Sequence, residues 1–377
     1  MSYDPFARGR FPVGVRTDTW TDTSRDRDLC VEIWYPAAEE YAGQDLDPAT
    51  WDRFVPGWVA EGQAGEDELV HQEAVRDAEP AAAQAQRPLV LLIHGWAGYR
   101  REATFLGTHL ASRGYIVVSP DVPGSTFVDV DAFLSSCEPT AEPEALLAHT
   151  RDIAAARVED IPFLISAAVE RLPVRAIGVG VTGASFGGYS SLIAPAADER
   201  VTAVVPMCPA NDDAPILAPD QVFAPFFAMP WKSDAATLIL AGDRDSLLPL
   251  YGQLRLLHSL PASDRRLITL TGTDHNHFVD DIEVGQAWLG EFAARVGRIF
   301  PAGPGDWSYV ADSVQPMERL LAGETTKAAW KGVVAAHFDV HLEGDSDAAA
   351  CLADLPNLLA ARGCESTVLD PGPAVTR

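Results

Sequence analysis

The chain has 377 residues, 47% of them hydrophobic, enough to build a sizeable core. Its net charge is −26, and Lys232, Lys327 and Lys331 are its only ammonium groups. Such a field repels phosphate backbones and anionic surfaces, so nucleic acid is not an expected partner, and scarce lysine argues against lysine-based catalysis. No apolar run approaches the roughly 18 residues that span a bilayer. "MSYDPFARGRFPVG" lacks an apolar signal core, which leads to the expectation of a cytoplasmic protein. Cys30, Cys137, Cys208, Cys351 and Cys364 are scattered in no paired spacing; buried free thiols are expected for most.

In chain order, apolar β-branched runs predict strands at 29–35, 88–93, 115–119, 176–182, 201–207, 236–242 and 266–272. Helical patterns lie between them at 101–113, which stops at Gly114, and at 186–197, 250–260 and 283–298. In "RVEDIPFLISAAVERL" Asp160 could cap a helix with Pro162 in its first turn, or a longer helix could run through with a kink. Near-continuous apolar strands alternating with helices predict a mostly parallel sheet covered on both faces, as one α/β domain over 1–377. Residues 36–87, acidic and Ala-rich, look like an insertion. The Pro/Phe-rich stretch 209–231 looks like a loop lining a pocket, 299–313 like loop, 314–365 like helix, and the last dozen residues like frayed chain.

The stretch "GVGVTGASFGGYSSL" (178–192) runs a predicted strand into a knot of glycines around Ser185. A serine hydroxyl becomes a nucleophile only when a base takes its proton and the backbone stands clear of it. A sharp strand-to-helix turn gives that exposure, and its crowding demands small residues two before and two after, here Gly183 and Gly187. The turn also aims the Phe186 amide at a forming oxyanion.

The acid and the base should follow in the order Ser, Asp, His, at the carboxyl ends of later strands. "LAGDRDSLLP" offers Asp243 and Asp245; Asp245, three after Gly242 and just before an apolar run, is preferred, with Asp212 and Asp213 more distant choices. "TGTDHNHFVDD" offers His275 and His277; His275, three after Gly272 and three before Phe278, is preferred. An H-x-H pair could bind metal, but no cysteine cluster or carboxylate spacing completes such a site, so neither metal nor cofactor is expected. "LVLLIHGWAGYR" supplies a bend at Gly95, the Trp96 amide as second oxyanion donor, and His94 as a histidine bracing the loop. Phe226, Phe227 and Trp231 are candidates for an apolar pocket.

Taken together, these stretches resemble α/β-hydrolases of the platelet-activating-factor acetylhydrolase and dienelactone-hydrolase-like group, from about residue 11 to 350. The resemblance is carried by "FPVGVRTDTWTDTSRDRDLCVEIWYP", "IHGWAG", "LASRGYIVVSPDVPGST", "GASFGGY", "LAGDRDSLLP", "GTDHNHFVDD" and "AAHFDVHLEGD". It implies the α/β-hydrolase fold, with Ser185 as nucleophile, Asp245 as acid, His275 as base, and the Trp96 and Phe186 amides as oxyanion hole. Dienelactone hydrolases place cysteine at the elbow; serine here points to a serine esterase acting on a small-molecule ester. The same motifs suit a polyester hydrolase, thioesterase or aminoacyl-peptidase, and a non-catalytic binding protein would be expected to lack one of the three residues. Oligomeric state is left open.

Overall fold

The computed structural model describes residues 3–59, 65, 68–82, 86–217, 222–303 and 305–372. Its strands are β1 (Val13–Asp22), β2 (Arg27–Pro36), β3 (Asp52–Phe54), β4 (Val70–Gln72), β5 (Val75–Arg76), β6 (Arg87–Leu92), β7 (Ile116–Pro120), β8 (Val174–Ala184), β9 (Val201–Met207), β10 (Ala236–Gly242), β11 (Arg265–Leu270) and β12 (Ser366–Leu369). Its helices are α1 (Thr104–Arg113), α2 (Phe127–Ser136), α3 (Pro143–Arg171), α4 (Phe186–Ala197), α5 (Ala224–Phe227), α6 (Leu250–Ser259), α7 (Ile282–Ile299), α8 (Trp307–Ser313), α9 (Gly323–Glu343), α10 (Ser346–Ala353) and α11 (Leu355–Ala360).

One sheet runs β12-β11-β10-β9-β8-β6-β7-β2-β1-β5, with β3 and β4 paired apart from it. From β11 to β7 every pairing is parallel. The antiparallel contacts are β12 on β11 and β2 on both β7 and β1. Successive side chains of a strand face opposite ways, so an apolar run feeds two cores at once. Leu89 and Leu91 join Val179, Val181 and Val204 on one face under α3, α4, α7 and α8. Val90 and Leu92 join Val205, Leu240 and Ile268 on the other under α1 and α9. This is the α/β-hydrolase arrangement, and it brings the carboxyl ends of β6, β8, β9, β10 and β11 to one edge.

Several sequence expectations need correction. The helix before β8 is the long one: α3 passes through Pro162, and Ile161, Leu164, Ile165 and Ala168 bury one of its flanks. That packing outweighs the missing proline N–H. Asp160 caps nothing; it accepts from Arg25 Nη1 at 2.9 Å and from Arg27 Nε and Nη2 at 2.8 Å. Residues 307–313 form α8 rather than loop, capped by Asp306 Oδ1 on the Tyr309 amide. The last dozen residues begin with β12 instead of fraying, and 373–377 lie outside the described residues. Only Cys208 and Cys364 are buried; the other three cysteines are half-buried.

The stretch 36–87, of which 60–64, 66–67 and 83–85 lie outside the described residues, is pinned to the sheet by a buried bond from Trp34 Nε1 to Gln72 Oε1, 2.6 Å, and by Arg76 on Glu32 and Asp52. Among the described residues no helix is long and apolar enough to cross a membrane.

Candidate active site

Ser185 sits between β8 and α4 with φ 57° and ψ −114°, a backbone conformation that costs strain in a residue with a Cβ. The crowding is measurable. A Cβ on Gly183 would stand 2.0 Å from the Ile93 carbonyl oxygen, and one on Gly187 would stand 1.8 Å from the same atom, so both positions require glycine. The Ser185 amide donates to Met207 O at 2.9 Å, tying the turn to β9.

The loop after β6 faces that turn. Gly95 N–H goes to Glu102 Oε1 at 2.9 Å and Ala97 N–H to Ser125 O at 3.0 Å. The amides of Trp96 and Phe186 have no acceptor among the described residues. His94 Nδ1 donates to Gly95 O at 2.7 Å and its Nε2 accepts from Val122 N at 2.9 Å. Burial and the nearby Arg157 push its pKa down to about 4, so it is a neutral brace.

Sequence reasoning missed Arg157. It is buried, donating to His94 O at 2.8 Å and to Ser125 Oγ at 2.7 Å, with its guanidinium 4.7 Å over the Phe186 ring. Burial lowers its pKa to about 10, which leaves it charged at neutral pH. Its only sequence signal was an arginine amid the apolar run of α3.

The structure brings Asp245, and not Asp243, against the His275 ring. Asp245 Oδ2 lies 3.0 Å from His275 Nδ1, while its Oδ1 accepts the amides of Leu247 and Leu248 at 3.0 and 2.7 Å. Asp243 is exposed and holds the amides of Gly272 and Thr273. His277 is engaged locally: Nδ1 accepts from Asp274 N and Nε2 donates to Leu321 O, each 3.1 Å. Asp212 caps 222–224, and Asp213 pairs with Arg255. Asp274, buried and unforeseen, binds Ser246 and the His275 amide, locking the two loops together.

Burial opposes charging of His275, yet the Asp245 carboxylate prevails and holds its pKa well above the ordinary value. Cys208 stands beside the pair: its Sγ, a His275 ring nitrogen and an Asp245 oxygen all lie within 4.8 Å of one another. The spacing of the sequence showed no cysteine cluster or carboxylate set around His275 and His277; the fold brings one cysteine from the end of β9 to the Asp245–His275 pair. Thiolate, imidazole and carboxylate could hold a soft divalent cation. Burial, however, raises the thiol pKa and disfavours the thiolate that such an ion needs.

Ser185 and His275 border one cavity of about 430 Å³. No hydrogen bond joins their side chains among the described residues; in free enzymes that contact is commonly long and tightens around substrate. The walls are aromatic. Trp96, Phe292 and Trp307 pack edge to face, with centroids 5.5 Å apart for Trp96–Phe292 and 6.2 Å for Phe292–Trp307. Phe54, Trp58 and Tyr99 form a second group, with Trp58 and Tyr99 5.8 Å apart. Phe226, Phe227 and Trp231 do not border the cavity. The first two pack on Tyr189 at 6.0 and 5.5 Å, and Trp231 lies against the core. The 209–231 stretch does line the cavity, through Ala210, Ala214, Ile216, Leu217 and Phe223; its residues 218–221 lie outside the described residues.

Residues 74–246 match the model of the "Dienelactone hydrolase family", a span that includes Ser185 and Asp245 and stops before His275. No curated protein matches the sequence. Among solved structures, the chain is similar to a ferulic acid esterase from Streptomyces cinnamoneus at 24% identity and a TM-score of 0.55, over 89% of this chain and 92% of that one. The structural likeness carries the fold and the family match a segment of it: the chain has the α/β-hydrolase fold, and its residues 74–246 are similar to dienelactone hydrolases.

Proposed function

We propose that the protein is a serine carboxylic ester hydrolase in which Ser185, His275 and Asp245 act as a triad, the whole chain serving as one catalytic domain with 36–87 as an insertion. The observation that carries this reading is the 3.0 Å contact between His275 and Asp245 at the rim of the cavity into which the strained Ser185 turn opens. Asp245 fixes His275 with Nδ1 protonated, so Nε2 is free to take the Ser185 proton. Oγ attacks the ester carbonyl carbon, and the oxyanion is met by the Trp96 and Phe186 amides. His275 then gives its proton to the departing alcohol. A water, deprotonated by His275, opens the acyl-enzyme and releases the acid.

The aromatic lining and modest volume favour small or medium apolar esters, aryl groups included, which is compatible with the ferulic acid esterase likeness. Ser185→Ala lowers kcat on p-nitrophenyl butyrate by about 10⁶ and abolishes fluorophosphonate labelling. Turnover that survives the substitution overturns the assignment. A panel of esters, thioesters and peptide anilides separates this activity from its relatives on the same fold.

A further inference from the structure

Glu102 has no role in the reaction above, yet its carboxyl lies at the heart of the site. Oε1 accepts the Gly95 amide at 2.9 Å. Oε2 rests against Gly98, where a Cβ would come within 2.1 Å of it. The Glu102 carbonyl accepts the Asp280 amide at 2.8 Å, and Asp280 in turn receives the Thr104 and Phe105 amides at the start of α1. One residue therefore grips the turn that presents Trp96 and the loop that presents His275, and it borders the cavity.

We propose that Glu102 is a positioning residue, its carboxyl clamping the 95–98 turn so that the Trp96 amide is aimed at the forming oxyanion. The proposal rests on the esterase reading. A neutral carboxyl suits the task best, because a negative charge one peptide unit from that amide would oppose the oxyanion's own charge. Enclosure raises the Glu102 pKa to about 8; Asp280 raises it too, while the Gly95 amide, Arg157 and His275 act against the rise. The other groups facing it are Asp280 at about 6, Arg157 at about 10, the enclosed Tyr99 phenol far above its ordinary range, and His275, held above its ordinary value, whose loss of a proton favours rather than limits turnover.

The test is the pH dependence of kcat and KM on p-nitrophenyl butyrate for the wild type, Glu102→Gln and Glu102→Ala. Gln keeps the acceptor for Gly95 and stays neutral, so kcat at pH 7 is expected within about threefold of wild type, while the wild-type decline in kcat above about pH 8 disappears. Ala leaves the turn unclamped, and kcat falls by about 10- to 100-fold, part of the value of one oxyanion donor, with KM little changed. An alkaline decline that persists in Glu102→Gln overturns the proposal, as does full activity in Glu102→Ala. If Glu102→Ala fails to fold, Glu102→Gln alone decides.

A second readout does not depend on turnover. The raised pKa means that stability contributed by the protonated carboxyl is complete below about pH 4.5 and is lost as pH rises through about 8. The wild-type Tm is therefore expected to fall more steeply over that window than that of Glu102→Gln; equal slopes also refute the idea. A wild type that neither turns over esters nor takes a fluorophosphonate sinks the esterase reading instead.

Discussion

Replacing Arg157 with Met tests whether the oxyanion loop is held by a buried charge. The wild-type guanidinium donates to His94 O and Ser125 Oγ at 2.8 and 2.7 Å, with longer contacts to Ser190 Oγ at 3.1 Å and Gly95 O at 3.4 Å. Two short charge-assisted bonds at about 1.5–3 kcal/mol each set a gross loss of about 3–6 kcal/mol. Relief of the buried charge returns part of this, because desolvating a guanidinium is costly and methionine packs well in apolar space. A net loss of about 2–4 kcal/mol in urea unfolding is expected, since the His94 carbonyl is left without its donor. Activity should fall further than stability explains. Arg157 also lies over the Phe186 ring, so both proposed oxyanion donors adjoin it. A drop in kcat of about 10- to 100-fold, measured on the fraction still folded, corresponds to loosening of one donor. An Arg157→Met protein as stable and as active as wild type would refute the bracing argument.

Four further outcomes are expected. Asp245→Asn lowers kcat by about 10⁴, as loss of the tautomer-fixing carboxylate does in a working triad, while Asp243→Asn stays within about twofold, read with p-nitrophenyl butyrate. His275 must be neutral to act as base, so kcat/KM falls as pH drops through its raised pKa; in Asp245→Asn burial dominates and the residual acid limb moves to lower pH. Trp307→Ala enlarges the cavity and shifts the preferred p-nitrophenyl ester toward longer acyl chains. Gly183→Ala, whose methyl would press into the Ile93 carbonyl at 2.0 Å, yields a protein destabilised by more than about 2 kcal/mol or none at all in the soluble fraction.

The sequence carried the seven inner strands and the elbow because both are local patterns. A buried parallel strand is an unbroken apolar run, and the glycines at 183 and 187 record a steric demand two residues from Ser185. Strand β1 escaped that reading because its middle, Arg16–Thr19, carries polar, largely exposed side chains beyond the short stretch that pairs with the edge strand β5. Pro162 misled because a local rule about helix starts was overridden by the apolar flank that α3 packs against the core. The cavity walls were invisible for a different reason. Trp96, Phe292 and Trp307 are far apart in the chain, and each alone looks like an ordinary core aromatic. Cys208, Asp274, Glu102 and Arg157 likewise acquire meaning only when the strand ends converge.

The cavity's two aromatic groups have a consequence for how the enzyme can diversify. Phe54 and Trp58 come from the stretch before β4, and Phe292 and Trp307 from α7 and α8, whereas Ser185, Asp245 and His275 stand on strand ends. Mutations in those outlying walls can therefore retune which molecules are accepted without disturbing the proposed triad. Selection could redraw the mould while the chisel stays fixed.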